Sequence, residues 1–274
     1  MSFLLGICNW THPLLRSPSC CETVKETGLR ALQLAWAGEA FPLSSEDVRR
    51  QWKEEAERHG LRLDAVAVLD VMRWGMTAEA GSAGRAKAEE AIAAAVNGAA
   101  EMGIPRIILP SFKASAIRSR DDLRETARCL RLACALAKRH GMGVATENLL
   151  DADMRQTLFH IVGYDNLRLL LDLSNFTLRR RDEVFEALPG FVAVGDGAHV
   201  KDGLYGEPGI RPLGEGHARV GEQLAALKRA GYAGTLFLEN AYATEGFGPD
   251  PWEAIRRDAA FIRHAESQPS PKIK

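Results

Sequence analysis

No two cysteines are spaced as a CxxC pair. The five, Cys8, Cys20, Cys21, Cys129 and Cys134, are odd in number, and Cys20 and Cys21 are adjacent and poorly placed to bridge each other. This pattern predicts reduced thiols in a cytoplasmic protein rather than a disulfide scaffold. An excess of either charge is also missing: 35 Lys+Arg stand against 36 Asp+Glu, a net charge of −1. Neither nucleic acid nor a membrane surface is therefore an expected partner. No apolar run is long and charge-free enough to span a bilayer. The alanine-rich stretch 91–100 holds Asn97 and follows Glu89-Glu90, so it predicts a soluble helix. A basic segment followed by an apolar run is absent from the first residues, so no signal peptide is expected. The turn after the first apolar run, Gly6-Ile-Cys-Asn-Trp-Thr-His12, is not a glycine-rich phosphate loop.

What is present is rhythm. Short apolar runs alternate with helical patterns from end to end. The runs are Phe3–Ile7, Ala31–Leu34, Leu61–Leu69, Arg106–Leu109, Gly143–Glu147, Leu167–Asp172, a segment within Phe191–Val200, and Gly234–Glu239. Between them lie helical stretches that stop at Gly28, Gly60, Gly103, Gly141, Gly163, Pro189-Gly190 and Gly231. Eight parallel strands with right-handed helical crossovers predict a closed α/β barrel, the (β/α)8 TIM barrel, and 274 residues suit that fold. We expect one domain over residues 1–266 and a disordered tail over 267–274. The segment 201–217 reads as a long glycine-rich loop.

Four of the later runs end on a residue that can bind a metal. Glu147 ends the fifth, Asp172 the sixth, His199 the seventh and Glu239 the eighth. In a barrel the C-terminal ends of the strands share one mouth, so these four become neighbours. Three carboxylates and an imidazole suit one divalent ion, Mn, Mg, Co or Zn. Each residue also has a plainer reading: a strand-end carboxylate can cap the next helix or pair with an arginine. Trp10, Asn9 and His12 leave the first strand and Trp36 the second, where aromatics can wall a sugar site or pack the loops. Lys201 can hold a substrate oxygen or, with Asp202, brace its loop. Asp70, Arg73, Trp74, Lys113 and His217 are further residues of the strand-to-helix loops.

Ala145-Thr-Glu-Asn148, Leu171-Asp-Leu-Ser-Asn175, His199-Val-Lys-Asp202, Pro212-Leu-Gly-Glu-Gly216, Gly231-Tyr-Ala-Gly234 and Leu238-Glu-Asn240 resemble the xylose-isomerase-like TIM barrels, the sugar phosphate isomerase/epimerase superfamily. The clear motifs cover 143–266. The resemblance implies a metal held by Glu147, Asp172, His199 and Glu239. It also implies a sugar-like substrate in an isomerase or epimerase, with Glu147 and Glu239 as two catalytic bases acting through an enediolate. Three positions depart from the ketose 3-epimerase pattern: Asn175 stands for a histidine, Asp153 for a glutamate and Tyr205 for an arginine. Asn175 and Asp153 remain candidate substrate contacts. A dehydratase acting on a keto-polyol and a sugar-binding barrel without turnover are the alternatives. An endonuclease IV-like nuclease is disfavoured, because only His12, His199 and His217 fall at strand ends or in the loops beyond them. Homo-oligomers are common in the resembled family, so one is possible here.

Overall fold

The computed structural model describes residues 3–193 and 195–267. Ten strands are present in it: β1 Leu4–Cys8, β2 Ala31–Trp36, β3 Arg62–Val68, β4 Arg106–Pro110, β5 Gly143–Glu147, β6 Leu167–Asp172, β7 Gly195–Val200, β8 Asp202–Leu204, β9 Glu207–Arg211 and β10 Thr235–Leu238. Eight close into a barrel in the order β1-β10-β7-β6-β5-β4-β3-β2, while β8 and β9 form a separate antiparallel pair. The pairings β1–β10, β10–β7, β3–β4, β4–β5 and β5–β6 are parallel. This is the (β/α)8 barrel expected from the alternating pattern. By contacts the chain groups into two compact units. One holds the described residues of Met1–Leu32, Glu55–Arg62 and Leu171–Lys274; the other holds Gln33–Glu54 and Leu63–Leu170.

The strands form because their apolar residues can be buried on both faces. Every residue of β2 and β10 is buried, as parallel strands covered by helices require. The helices start and stop on local signals. Ser82, Ser119 and Asp151 accept from the backbone N–H groups of Arg85, Asp122 and Met154 at 3.2, 3.0 and 2.8 Å, each capping its helix. Helix Arg120–Lys138 buries Leu123, Ala127, Leu130, Cys134 and Ala137 along one face. All five cysteines are buried and unbridged, in line with the expected reduced thiols.

In the first unit, strand register sets the approach of side chains. Gly6 lies opposite Phe237, which lies opposite His199. A Cβ at Gly6 would come within 2.5 Å of the Phe237 ring and 2.8 Å of the Ala31 carbonyl oxygen. The ring occupies the space that any other residue at position 6 would need.

Three expectations need correction. The helix near 182–188 does not stop at Pro189-Gly190. It spans Val184–Val192 with Pro189 inside, and β7 begins only at Gly195. Val184, Leu188 and Phe191 are all buried at helical spacing, and that continuous apolar face outweighs the one backbone bond proline forgoes. The last helix runs Pro251–Ser267. Ser267 therefore belongs to it rather than to the tail, and its hydroxyl donates to the His264 carbonyl. Residues 268–274 lie outside the described residues. Finally, 201–217 is not a plain loop, because it contains the β8–β9 hairpin.

Asp202 organises that segment. It is fully buried, and its carboxylate accepts from the N–H groups of Gly203, Gly214, Gly216 and Ala218 at 2.8, 2.9, 3.2 and 2.9 Å. A Cβ at Gly216 would overlap the same carboxylate, which explains a glycine in the Pro212–Gly216 motif. Asp202→Asn turns one acceptor oxygen into a donor facing these N–H groups. It should cost about 2–3 kcal/mol of stability, seen as a thermal midpoint lower by roughly 4–10 °C. An unchanged midpoint would mean the carboxylate is not what holds the segment.

Candidate active site

The register that places Gly6, Phe237 and His199 side by side also places the next residues on that face. Side chains alternate along a strand, so Cys8, Glu239 and Lys201, two positions further on, point the same way as Gly6, Phe237 and His199. The ladder continues past β10, with the Glu239 N–H donating to the Val200 carbonyl at 2.9 Å. Four strand-end residues from β1, β7 and β10 thus converge for geometric reasons alone.

Their side chains form one cluster with Asp172. Lys201 Nζ lies 2.5 Å from Glu239 Oε2 and 2.6 Å from Asp172 Oδ2. His199 Nδ1 lies 3.2 Å from the same Glu239 oxygen. The indole N–H of Trp10 donates to Glu239 Oε1 at 3.1 Å, and the Trp10 ring stands edge-on to His199, centroids 5.9 Å apart. Cys8 Sγ is 3.6 Å from His199 Nε2. Asp172, His199 and Lys201 are buried. Two carboxylates this close, Asp172 buried and Glu239 half-buried, repel unless a cation balances them; the Lys201 ammonium supplies that balance here.

The electrostatics follow from the contacts. Burial disfavours the Glu239 carboxylate, yet the facing His199 and Lys201 outweigh it and hold its pKa far below the ordinary range. Burial likewise opposes a charged His199, but the Glu239 carboxylate beside it raises the imidazole well above its usual value. Burial pushes the Cys8 thiol up to about 12, despite His199 and Lys201, so it is a neutral thiol in this arrangement.

Asp172 caps a helix, the plainer of its sequence readings, and also joins the cluster. Its Oδ1 accepts from the Asn175 N–H at 2.8 Å and caps the short helix Leu173–Thr177. Its Oδ2 takes Lys201 and the Asn175 side-chain amide, the latter at 2.7 Å. Asn175 thereby steadies Asp172. Its own amide oxygen lies 3.4 Å from Arg179 NH1, which also donates to the Asn175 carbonyl at 2.7 Å.

Glu147 ends β5 and is buried. Its residue pairs with Pro110 of β4, and the Ser111 N–H donates to its carbonyl at 2.8 Å. On the other side β5 runs in register with β6, Thr146 opposite Leu169, so Glu147 closes the strand next to the one Asp172 closes. Asp153 is exposed in the first turn of helix Ala152–Val162. Its side chain has no hydrogen bond or ion pair among the described residues.

Other residues singled out in the loops have local roles. His12 Nδ1 accepts from the Leu14 N–H at 3.1 Å and caps a short turn. Asp70 Oδ2 accepts from the Gly38 N–H at 3.2 Å. Trp74 carries two cations on its ring, Arg73 at 4.4 Å and Lys87 at 4.2 Å. From the sequence Cys8 is a reduced thiol like the other four, with nothing to set it beside His199 except its place at the end of the first strand, matching the places of Glu147 and Asp172 on theirs.

As chemistry, the cluster offers an ionised carboxylate, an imidazole and an ammonium on rigid strand ends. Cys8, His199 and Glu239 present ligand atoms within 4.8 Å of one another. Carboxylate and imidazole donors fit a hard or borderline divalent ion.

Comparisons with known proteins agree with the fold. A 2-epi-5-epi-valiolone 7-phosphate 2-epimerase from an Actinoplanes species is 35% identical over 169 residues, a match spanning 61% of this chain and only 60% of that protein. Among solved structures, an L-ribulose 3-epimerase superposes with a TM-score of 0.77 at 19% identity, covering 97% of this chain and 94% of the other. The 3-keto-D-glucoside 4-epimerase of E. coli gives 0.76 at 17% identity, covering 96% and 100%. At those identities the structural likeness speaks for the fold alone. The family profile of the xylose isomerase-like TIM barrels matches residues 21–265, nearly the whole chain, and this protein belongs to that family.

Proposed function

We propose that this protein is a metal-dependent epimerase or isomerase of a sugar or related polyhydroxy carbonyl compound. The observation that carries the reading is the buried cluster of Asp172, His199, Lys201 and Glu239 at the strand ends. A set of opposite charges this dense has little use for stability alone. The relative that is 35% identical, itself an epimerase, supports the reaction class.

Glu147, Asp172, His199 and Glu239 would hold one divalent ion, which when bound polarises a carbonyl and eases the negative charge that develops during proton abstraction. The protein's own groups do the rest. Glu147 and Glu239, from non-adjacent strands of the ring, act as the two bases. One removes the proton from the carbon beside the carbonyl, and the other returns a proton to the opposite face or to the neighbouring carbon. Despite its burial, the facing His199 and Lys201 keep Glu239 ionised, the form in which a carboxylate accepts a proton. Trp10, fixed by its bond to Glu239, presents an indole wall beside the imidazole for the carbon skeleton. Asn175 keeps Asp172 oriented. Lys201, the cation of the cluster, would hydrogen-bond a substrate oxygen.

One observation favours a second reading, a dehydratase on a keto-polyol. Two glutamate bases suffice for epimerisation, so the buried Lys201 ammonium is a surplus acid, suited to protonating an expelled hydroxyl. Both reactions begin with the same proton abstraction. Loss of water from the product separates them.

Three outcomes are expected. Glu239→Gln should lower exchange of a substrate C–H proton with deuterated water by about 100-fold or more, followed by proton NMR on a panel of ketoses and keto-polyols; wild-type exchange would sink the two-base scheme. His199→Ala should weaken divalent-ion binding at least about tenfold, read by metal titration, and an unaltered titration would remove His199 from the ligand set. Treatment with a chelator should abolish the exchange, and Mn²⁺ or Co²⁺ should restore it.

A further inference from the structure

The first strand of the barrel supplies none of the four ligands proposed above, yet two residues at its end touch them. Trp10 donates its indole N–H to Glu239 Oε1 at 3.1 Å and stands edge-on to His199. Cys8 places its Sγ 3.6 Å from His199 Nε2. Trp10 has a use in the site as an apolar wall. Cys8 has no such use: it is fully buried, packed with Ala31 and Phe237, and no step of the proton chemistry reaches it.

Register explains the contact. Gly6, Phe237 and His199 are neighbours across β1, β10 and β7. Cys8 lies two places past Gly6 on the same face, and its sulfur reaches across β10 to the imidazole.

The His199 ring turns its two nitrogens to different chemistries. Nδ1 faces the Glu239 carboxylate, 3.2 Å from Oε2, and Nε2 faces the Cys8 sulfur. A neutral imidazole has one lone pair and one N–H, so an ion takes one nitrogen and the other carries the proton. The placement of charge decides which. The Glu239 oxygen beside Nδ1 also holds the Lys201 ammonium at 2.5 Å, and that ammonium reaches Asp172 Oδ2 at 2.6 Å. These carboxylates therefore already hold a cation next to Nδ1. A nitrogen and an oxygen bound to one ion at about 2.1 Å each lie roughly 3.0–3.4 Å apart, and the Nδ1–Oε2 separation falls in that range. Around the Cys8 sulfur the packing is apolar, a poor setting for an ion. Ligand atoms of Cys8, His199 and Glu239 do come within 4.8 Å of one another, so direct binding by the thiol is the rival assignment.

We propose that Cys8 is a positioning residue for the metal ligand His199: its sulfur accepts the Nε2–H, fixing the tautomer whose Nδ1 lone pair faces the ion shared with Glu239. This rests on the metal-dependent reading above. Histidine ligands commonly hand their second ring N–H to a carboxylate, a carbonyl or water. A thiol in that place orients the ring without adding a charge behind it.

The test reads metal binding and tautomer, not turnover. In the zinc-loaded protein labelled with ¹⁵N at histidine, long-range ¹H–¹⁵N NMR should show the His199 proton on Nε2, the signals being assigned by their loss in His199→Ala. A proton on Nδ1 instead overturns the proposal, and this measurement needs no variant at position 8. Stripped of metal and titrated with Co²⁺, Cys8→Ala should bind about tenfold more weakly than wild type. Cys8→Ser, whose hydroxyl can accept the same N–H, should restore the affinity. Thermal unfolding verifies that both variants are folded. Undiminished affinity in Cys8→Ala overturns the proposal, and so does an equal loss in Cys8→Ser, which would make the sulfur's bulk the cause. A thiolate-to-cobalt absorption band in the near ultraviolet, lost in Cys8→Ser, would make Cys8 a ligand and overturns it as well. Co²⁺ binding absent from the wild type, or unchanged in His199→Ala, refutes the metal reading and this inference with it. Binding that needs His199 but not Cys8 refutes the inference alone.

Discussion

The ammonium of Lys201, bridging Asp172 and Glu239, is the contact on which the rest of the site depends. Two carboxylates and an imidazole cannot be packed together out of water unless positive charge is placed among them. Lys201 supplies it at 2.6 and 2.5 Å, and the consequences spread outward. Glu239 stays ionised, His199 is drawn toward its protonated form, and Asp172 keeps one oxygen free to cap the helix that carries Asn175 and leads to Arg179. A cation arriving from solution would compete for the same oxygens. The lysine keeps the carboxylates compatible with the fold.

The barrel makes this possible through register. Gly6, Phe237 and His199 stand side by side across β1, β10 and β7, and the residues two places on, Cys8, Glu239 and Lys201, inherit that alignment. Gly6 is a glycine because the Phe237 ring takes the space, and Phe237 in turn forms the floor below Glu239. The chemistry at the strand ends rests on a packing constraint one layer below it.

The segment after β7 shows the same economy in its loops. Asp202 spends its carboxylate on four backbone N–H groups and so folds 202–218 against itself. The hairpin this creates carries Tyr205 to the side of Arg180. A neighbouring pair in sequence, Lys201 and Asp202, divides into a residue of the cluster and a residue of the loop.

The sequence alone determined the eightfold alternation of strand and helix and the residues that end the strands, since both follow from local hydrophobic pattern and stop signals. The number and spacing of the cysteines also predicted thiols without bridges, as found. The course of the chain through Pro189 was decided by a buried face that only packing against the rest of the unit creates. The hairpin within 201–217 depends on Asp202 finding donors up to sixteen residues away. That Asp172 caps a helix and also joins the cluster, that Lys201 sits between two carboxylates, and that Cys8 touches His199 are matters of strand neighbours distant in sequence. Tertiary structure decided them because a residue's partners across a parallel sheet are set by register and by ring order, and neither is written in any local stretch of the chain.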